Sequence, residues 1–162
     1  MITFSQYITE LFNQHYDYTK GKVDYNQKAD TEKHKFHFHT DNGNKIHVEI
    51  KHHPSKNKKV NSEVSFYTDD HDPDKHDDQI TNKEGRSSAK VFSTVHHILR
   101  DHLQKHKHIE HVSFASEQGE PSRTKLYRHL AKSFAQKHTE HESEIGRYKY
   151  TNFNIHRNDI KG

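Results

Sequence analysis

Residues 88–138 constrain the fold more than any other stretch of this chain. Val91, Phe92, Val95, Ile98, Leu99 and Leu103 recur at intervals of three and four, a helical face wide enough to lie on a sheet. Ser87 or Ser88 supplies a hydroxyl suited to the helix N-cap. Val112 and Phe114 then alternate with polar residues in IEHVSFASE, which predicts a short strand. Pro121 suits the first turn of a second helix, whose apolar stripe is Leu126, Tyr127, Leu130, Phe134 and Ala135. Two such stripes require a sheet to cover.

The N-terminal half supplies that sheet. Asp41-Asn42-Gly43 separates KHKFHFHT from NKIHVEIKH, and a three-residue loop with a left-handed glycine predicts a hairpin. The pairing that keeps apolar residues together sets Phe38 opposite Ile46 and Phe36 opposite Val48. Lys35 and Glu49, and His37 and His47, then pair on the other face. Val60, Val64 and Phe66 alternate with polar residues and mark another strand at Val60–Thr68. Val23 and Tyr25 mark a strand within residues 18–28, and residues 147–155 a closing aromatic-rich strand, after which the last residues are expected to fray. Thr3 and Gln6 have capping-box spacing ahead of Phe4, Ile8, Leu11 and Phe12, which predicts a helix over residues 3–14. The fold class is therefore α+β: a mostly antiparallel sheet, an N-terminal helix, and a helix-strand-helix-strand unit.

With 162 residues, the chain is expected to form a single domain spanning residues 1–162. Its hydrophobic fraction, 28%, is low while charged residues reach 30%, so the core should be thin and the loops polar. No run approaches the roughly 18 apolar residues of a membrane span, and no signal peptide is visible. The absence of cysteine excludes disulfides and thiolate metal ligands, and the expected compartment is cytoplasmic. The formal charge of +3 understates the charge in acid, because 19 histidines protonate near pH 6.5.

Residues 69–86 read as a polar, acidic loop. Asp70, Asp72 and Asp74 imitate the start of a calcium-binding loop, but Lys75 stands where glycine is needed and Thr81 where the bidentate glutamate belongs. His37 and His47, paired across strands, with His39 two residues along, could bring three imidazoles to a zinc or nickel ion. His102 and His106 share a helical face, but His102 flanks the apolar stripe and reads as structural. Lys56, Lys58 and Lys59 in one loop, with Arg123 and Arg128 on the second long helix, are candidate phosphate contacts for a nucleic acid. The three His-x-Ser triplets are no more than chance supplies among so many histidines, which sets aside the two-histidine phosphoesterases. No nucleophile elbow, Walker loop or dinucleotide fingerprint is present.

Two resemblances add to this reading. The segments VFSTVHHILRDHL, HVSFASE and PSRTKLYRHLAKSF, about a third of the chain, resemble a block of small accessory proteins of tailed bacteriophages. That implies a virion-associated or host-directed protein that binds a phage protein, a host protein or nucleic acid without turnover, in the host cytoplasm or the virion. Ile8-Thr9-Glu10 is similar to the sites cut by prohead proteases. The order of strands and helices also resembles the GNAT acyltransferase fold. In that family a Gln/Arg-x-x-Gly-x-Gly/Ala loop opens the first of these helices and holds the pyrophosphate of acetyl-CoA. Here Arg86 matches within Gly85-Arg86-Ser87-Ser88-Ala89-Lys90-Val91, while Ala89 and Val91 occupy the small-residue positions. By this resemblance Arg86, Ser87, Ser88 and Ala89 would hold the cofactor, and Tyr127 would protonate the leaving thiolate. The main expectation is a binding protein that needs no cofactor; the alternative is acetyl-CoA-dependent acyl transfer.

Overall fold

The computed structural model describes residue 3 and residues 14–54, 60–68, 88–117 and 121–161. The expected helix at residues 3–14, the Ile8-Thr9-Glu10 site and the acidic loop at residues 69–86 lie outside them, apart from Thr3 and Gln14. Strands β1 (Thr19–Asn26), β2 (Thr31–His39), β3 (Lys45–Pro54) and β4 (Val60–Thr68) come first. Helix α1 (Ser88–Lys105), strand β5 (Ile109–Glu117) and helix α2 (Pro121–Phe134) follow. Strands β6 (Thr139–Ile145) and β7 (Tyr148–His156) and a 3-10 turn (Arg157–Asp159) complete the order among the described residues.

The seven strands among the described residues belong to one sheet ordered β1-β2-β3-β4-β5-β7-β6. Neighbours pair antiparallel except β4 and β5, which run parallel because α1 carries the chain across between them. The β2–β3 register is the one that the apolar pattern demands, with Phe38 opposite Ile46 and Phe36 opposite Val48. Gly43, at φ +81°, takes the left-handed conformation that its loop needs, and donates to the Thr40 carbonyl.

Helices α1 and α2 cover the same face. The Phe66 ring of β4 meets Phe92 of α1 at 5.4 Å and Tyr127 of α2 at 5.3 Å, so one side chain touches both. Val91, Phe92, Val95, Ile98, Leu99 and Leu103 are buried from α1, and Tyr127, Leu130 and Phe134 from α2. Phe38, Phe92, Phe134 and Phe153 are among the largest fully buried side chains. A few aromatic rings fill much of a core that the low apolar fraction keeps small.

Two expectations are corrected. The end of the chain is a hairpin rather than one strand: β6 precedes β7 and joins it through Gly146, at φ +62°. None of β6 is buried, so its sequence carries no apolar alternation to read. Residues 159–161 do not fray either. Gln136 donates its backbone N–H to Asp159 at 2.7 Å, Lys161 donates to Phe134 at 2.9 Å, and Ala135 bridges to Ile160.

His96 of α1 packs edge-on against Phe134 at 5.3 Å. Burial, then the charges of Arg100, His97 and Lys161, push its pKa down to about 4. Above pH 6.5 the ring is neutral whether the chain is folded or not. Between pH 6.5 and 4 the unfolded chain takes up a proton that the folded chain refuses, so stability falls with pH, by at most about 1.4 kcal/mol per pH unit for one proton. Denaturation midpoints measured from pH 7 to 4 should decline less steeply in His96→Gln; an unchanged slope would exclude this residue as a contributor.

Candidate functional site

Strands β4 and β5 form a fork. Their ladder runs from Val60 and Ile109 to Glu63 and Ser113 and ends there, although β4 continues to Thr68 and β5 to Glu117. Beyond that point each strand is held on its far side, β4 by β3 through Ile46 opposite Thr68, and β5 by β7 through Glu117 opposite Tyr150. The ladder opens at the one place among the described strands where the neighbours are parallel, which is also where open sheets with helical crossovers hold ligands.

Tyr127 lies beneath this fork. Its ring is 5.3 Å from Phe66 on the β4 arm and 5.9 Å from Phe114 on the β5 arm, with Phe92 at 5.4 Å and Phe153 at 6.4 Å. Only 3% of the residue is exposed. Helix α1 begins at Ser88 and Ala89 is buried in its first turn, while Arg86 and Ser87 lie outside the described residues.

Lys56, Lys58 and Lys59 lie outside the described residues, and of Arg123 only the backbone is described, in α2. The Arg128 guanidinium is engaged by a carboxylate: its Nε donates to both Glu140 oxygens at 3.0 and 3.1 Å, and a terminal nitrogen donates at 2.8 Å. That contact raises the arginine pKa and lowers that of Glu140. His37 and His47 face each other across β2 and β3; His37 and His39 rings are 6.3 Å apart, and His47 stacks on Tyr67 at 5.2 Å.

Among the described residues, the groups close enough to share one ion are two others. Glu110, His111 and His156 form a half-buried group, in which His156 also accepts the Asn158 N–H at the 3-10 turn. His34, His52 and His102 form a buried group at the opposite end of α1 from its Ser88 start. The signal for the buried group was present in the strand parity, since His34 continues the inward series of Phe36 and Phe38, and His52 that of Val48 and Ile50.

The family model of DUF6934, a family of unknown function, matches residues 21–159, and the chain belongs to this family. No curated protein matches it in sequence. Among solved structures, it is similar to a chimera of the spermidine N-acetyltransferase SpeG from Vibrio cholerae and hSSAT. Identity there is 12%, with 82% of this chain and 69% of that chain covered, at a TM-score of 0.46. Mutant forms of the spermidine/spermine N-acetyltransferase SpeG from Vibrio cholerae match at 11% identity, over 78% of this chain and 68% of that one, at a TM-score of 0.43. The expectation of a phage-type accessory protein that binds without turnover is thereby corrected, because the structures found are N-acetyltransferases. No helix among the described residues is long and apolar enough to cross a membrane.

Proposed function

We propose that this chain is an acetyl-CoA-dependent N-acyltransferase that takes its acyl donor at the fork between β4 and β5. The observation that carries this reading is the seat of Tyr127 beneath the fork, in ring contact with Phe66 on one arm and Phe114 on the other. Strands that separate leave backbone N–H and C=O groups that an extended chain bearing amides, such as the pantetheine arm, can pair with as an added strand. Helix α1 opens at Ser88, where backbone N–H groups and the helix dipole suit the donor's pyrophosphate, with Arg86 as counter-charge. In the reaction an amine attacks the thioester carbonyl and a carbon–nitrogen bond forms. The carbon–sulfur bond breaks, the nitrogen releases a proton to water, and the departing thiolate takes a proton from its donor, which water then reprotonates. Tyr127 is the residue assigned to give that proton.

In a thermal-denaturation titration, acetyl-CoA at 100 times its Kd should stabilise the protein by about 2.7 kcal/mol, and Arg86→Ala should remove most of that effect. Tyr127→Phe should keep the stabilisation while lowering thiol release on a panel of primary amines by roughly 10²-fold or more. The absence of both stabilisation and thiol release at millimolar acetyl-CoA overturns the proposal.

A further inference from the structure

We propose that His34, His52 and His102 bind one divalent transition-metal ion of the zinc class, at a site separate from the fork. One ring nitrogen from each lies within 4.8 Å of the other two, and the three residues are 2%, 5% and 3% exposed. Nitrogen ligands at about 2.0–2.1 Å from a tetrahedral ion stand roughly 3.4 Å apart, so modest ring rotations gather all three around one centre. The Nε2 atoms of His52 and His102 already point at each other at 2.8 Å.

His34 supplies the second, independent observation. Its Nε2 is held by the Glu32 carboxylate at 2.5 Å, and its Nδ1 is buried without a hydrogen-bond partner. A buried imidazole nitrogen left unpartnered is rare, because burial removes the water that would otherwise satisfy it. A carboxylate on the far nitrogen is the usual companion of a ligating histidine, fixing its tautomer and raising its basicity. Nδ1 of His34 is accordingly the third ligand atom.

The surroundings select the kind of ion. The three ligands are imidazoles with no carboxylate or thiolate among them, which favours zinc, cobalt, nickel or copper over magnesium or calcium. Burial, reinforced by the neighbouring imidazoles, lowers the pKa of His52 and of His102 and so favours the neutral ring, the ligating form. Half-buried His106, whose ring is 4.2 Å from His102 and 4.9 Å from His34, stands on the solvent side with exposed His108. His106 or a water completes the coordination. The C-terminal end of α1, where His102 lies, carries the negative pole of the helix dipole and favours a cation.

The test uses the full chain without a histidine tag, stripped by a chelator and titrated with Co(II) and then Zn(II). One equivalent of Co(II) should give a visible absorption band that Zn(II) displaces, with a rise in the thermal midpoint. His34→Ala and His52→Asn should each weaken binding at least 100-fold, whereas His37→Ala with His47→Ala, on the other face of the sheet, should leave it unchanged. Glu32→Gln, at a half-exposed position, should weaken binding roughly 10–100-fold at unchanged stoichiometry. It decides the matter if the buried variants fail to fold. Absence of a stoichiometric ion, or a Co(II) band indifferent to Glu32→Gln and to the His34 and His52 substitutions, overturns the proposal.

Discussion

Phe153→Ala is expected to lower the free energy of unfolding by about 3–5 kcal/mol, the usual range for truncating a fully buried phenylalanine. The residue has no exposed surface and sits in the middle of β7, paired with Phe114 of β5 on one side and Glu140 of β6 on the other. Its ring stacks on Phe114 at 5.2 Å and lies 6.4 Å from Tyr127. Ladders on both flanks keep β7 from moving into the void, so little of the lost volume can be recovered. Phe153→Leu, which keeps most of the volume, should cost about 1.5 kcal/mol or less. Urea denaturation measures both: the midpoint should fall with the slope unchanged, and a loss below about 1.5 kcal/mol for the alanine variant would mean that the layer under the fork is not the rigid support described above. The comparison with Tyr127→Phe is informative, since that change keeps the ring and its packing while removing the hydroxyl that the proposed chemistry needs.

How much of this could be read from residue patterns depends on how much each element buries. Helix α1 hides Val91, Phe92, Val95, Ile98, Leu99 and Leu103 on one side, and burial of one face is what writes a period of 3.6 into a sequence. The β2–β3 pairing was legible for the same reason, because a slip of one residue would turn Phe36, Phe38, Ile46 and Val48 outward. Strand β6 was not legible, since an edge strand with nothing buried has no apolar residues to alternate. Its partner at Arg128 was equally hidden: the residue looked like a free cation for phosphate, and only the hairpin brings Glu140 to its guanidinium. The buried histidines were legible in part. The parity that turns Phe36 and Val48 inward does the same for His34 and His52, but their meeting with His102 depends on how α1 crosses β2 and β3, which no local pattern encodes.

Arg157→Ala is the second large effect expected, about 3 kcal/mol or more, although the residue lies near the chain end and forms no ion pair among the described contacts. Its guanidinium donates to three backbone carbonyls: Leu103 at 3.1 Å, His106 at 2.6 Å, and Ile109. The last carbonyls of a helix have no partner within it, and Leu103 belongs to the final turn of α1. Hydrogen bonds from a charged donor contribute roughly 1.5–3 kcal/mol each, less than additively where one side chain makes them all. Burial alone lowers the pKa of this arginine, as expected where backbone oxygens rather than carboxylates receive the charge. Because the three acceptors span the turn from α1 into β5, the arginine also fixes where β5 starts beside Val60 of β4, and through it the base of the fork. Arg157→Lys keeps the charge but cannot present a planar set of donors to three directions, so it should recover less than half of the loss. Amide hydrogen exchange after Arg157→Ala should quicken first at His106 and Ile109, whose N–H groups are held by His102 and His106 carbonyls within this turn. Exchange that quickens uniformly over the sheet instead would show that Arg157 acts on global stability and not as a clamp on the α1–β5 turn.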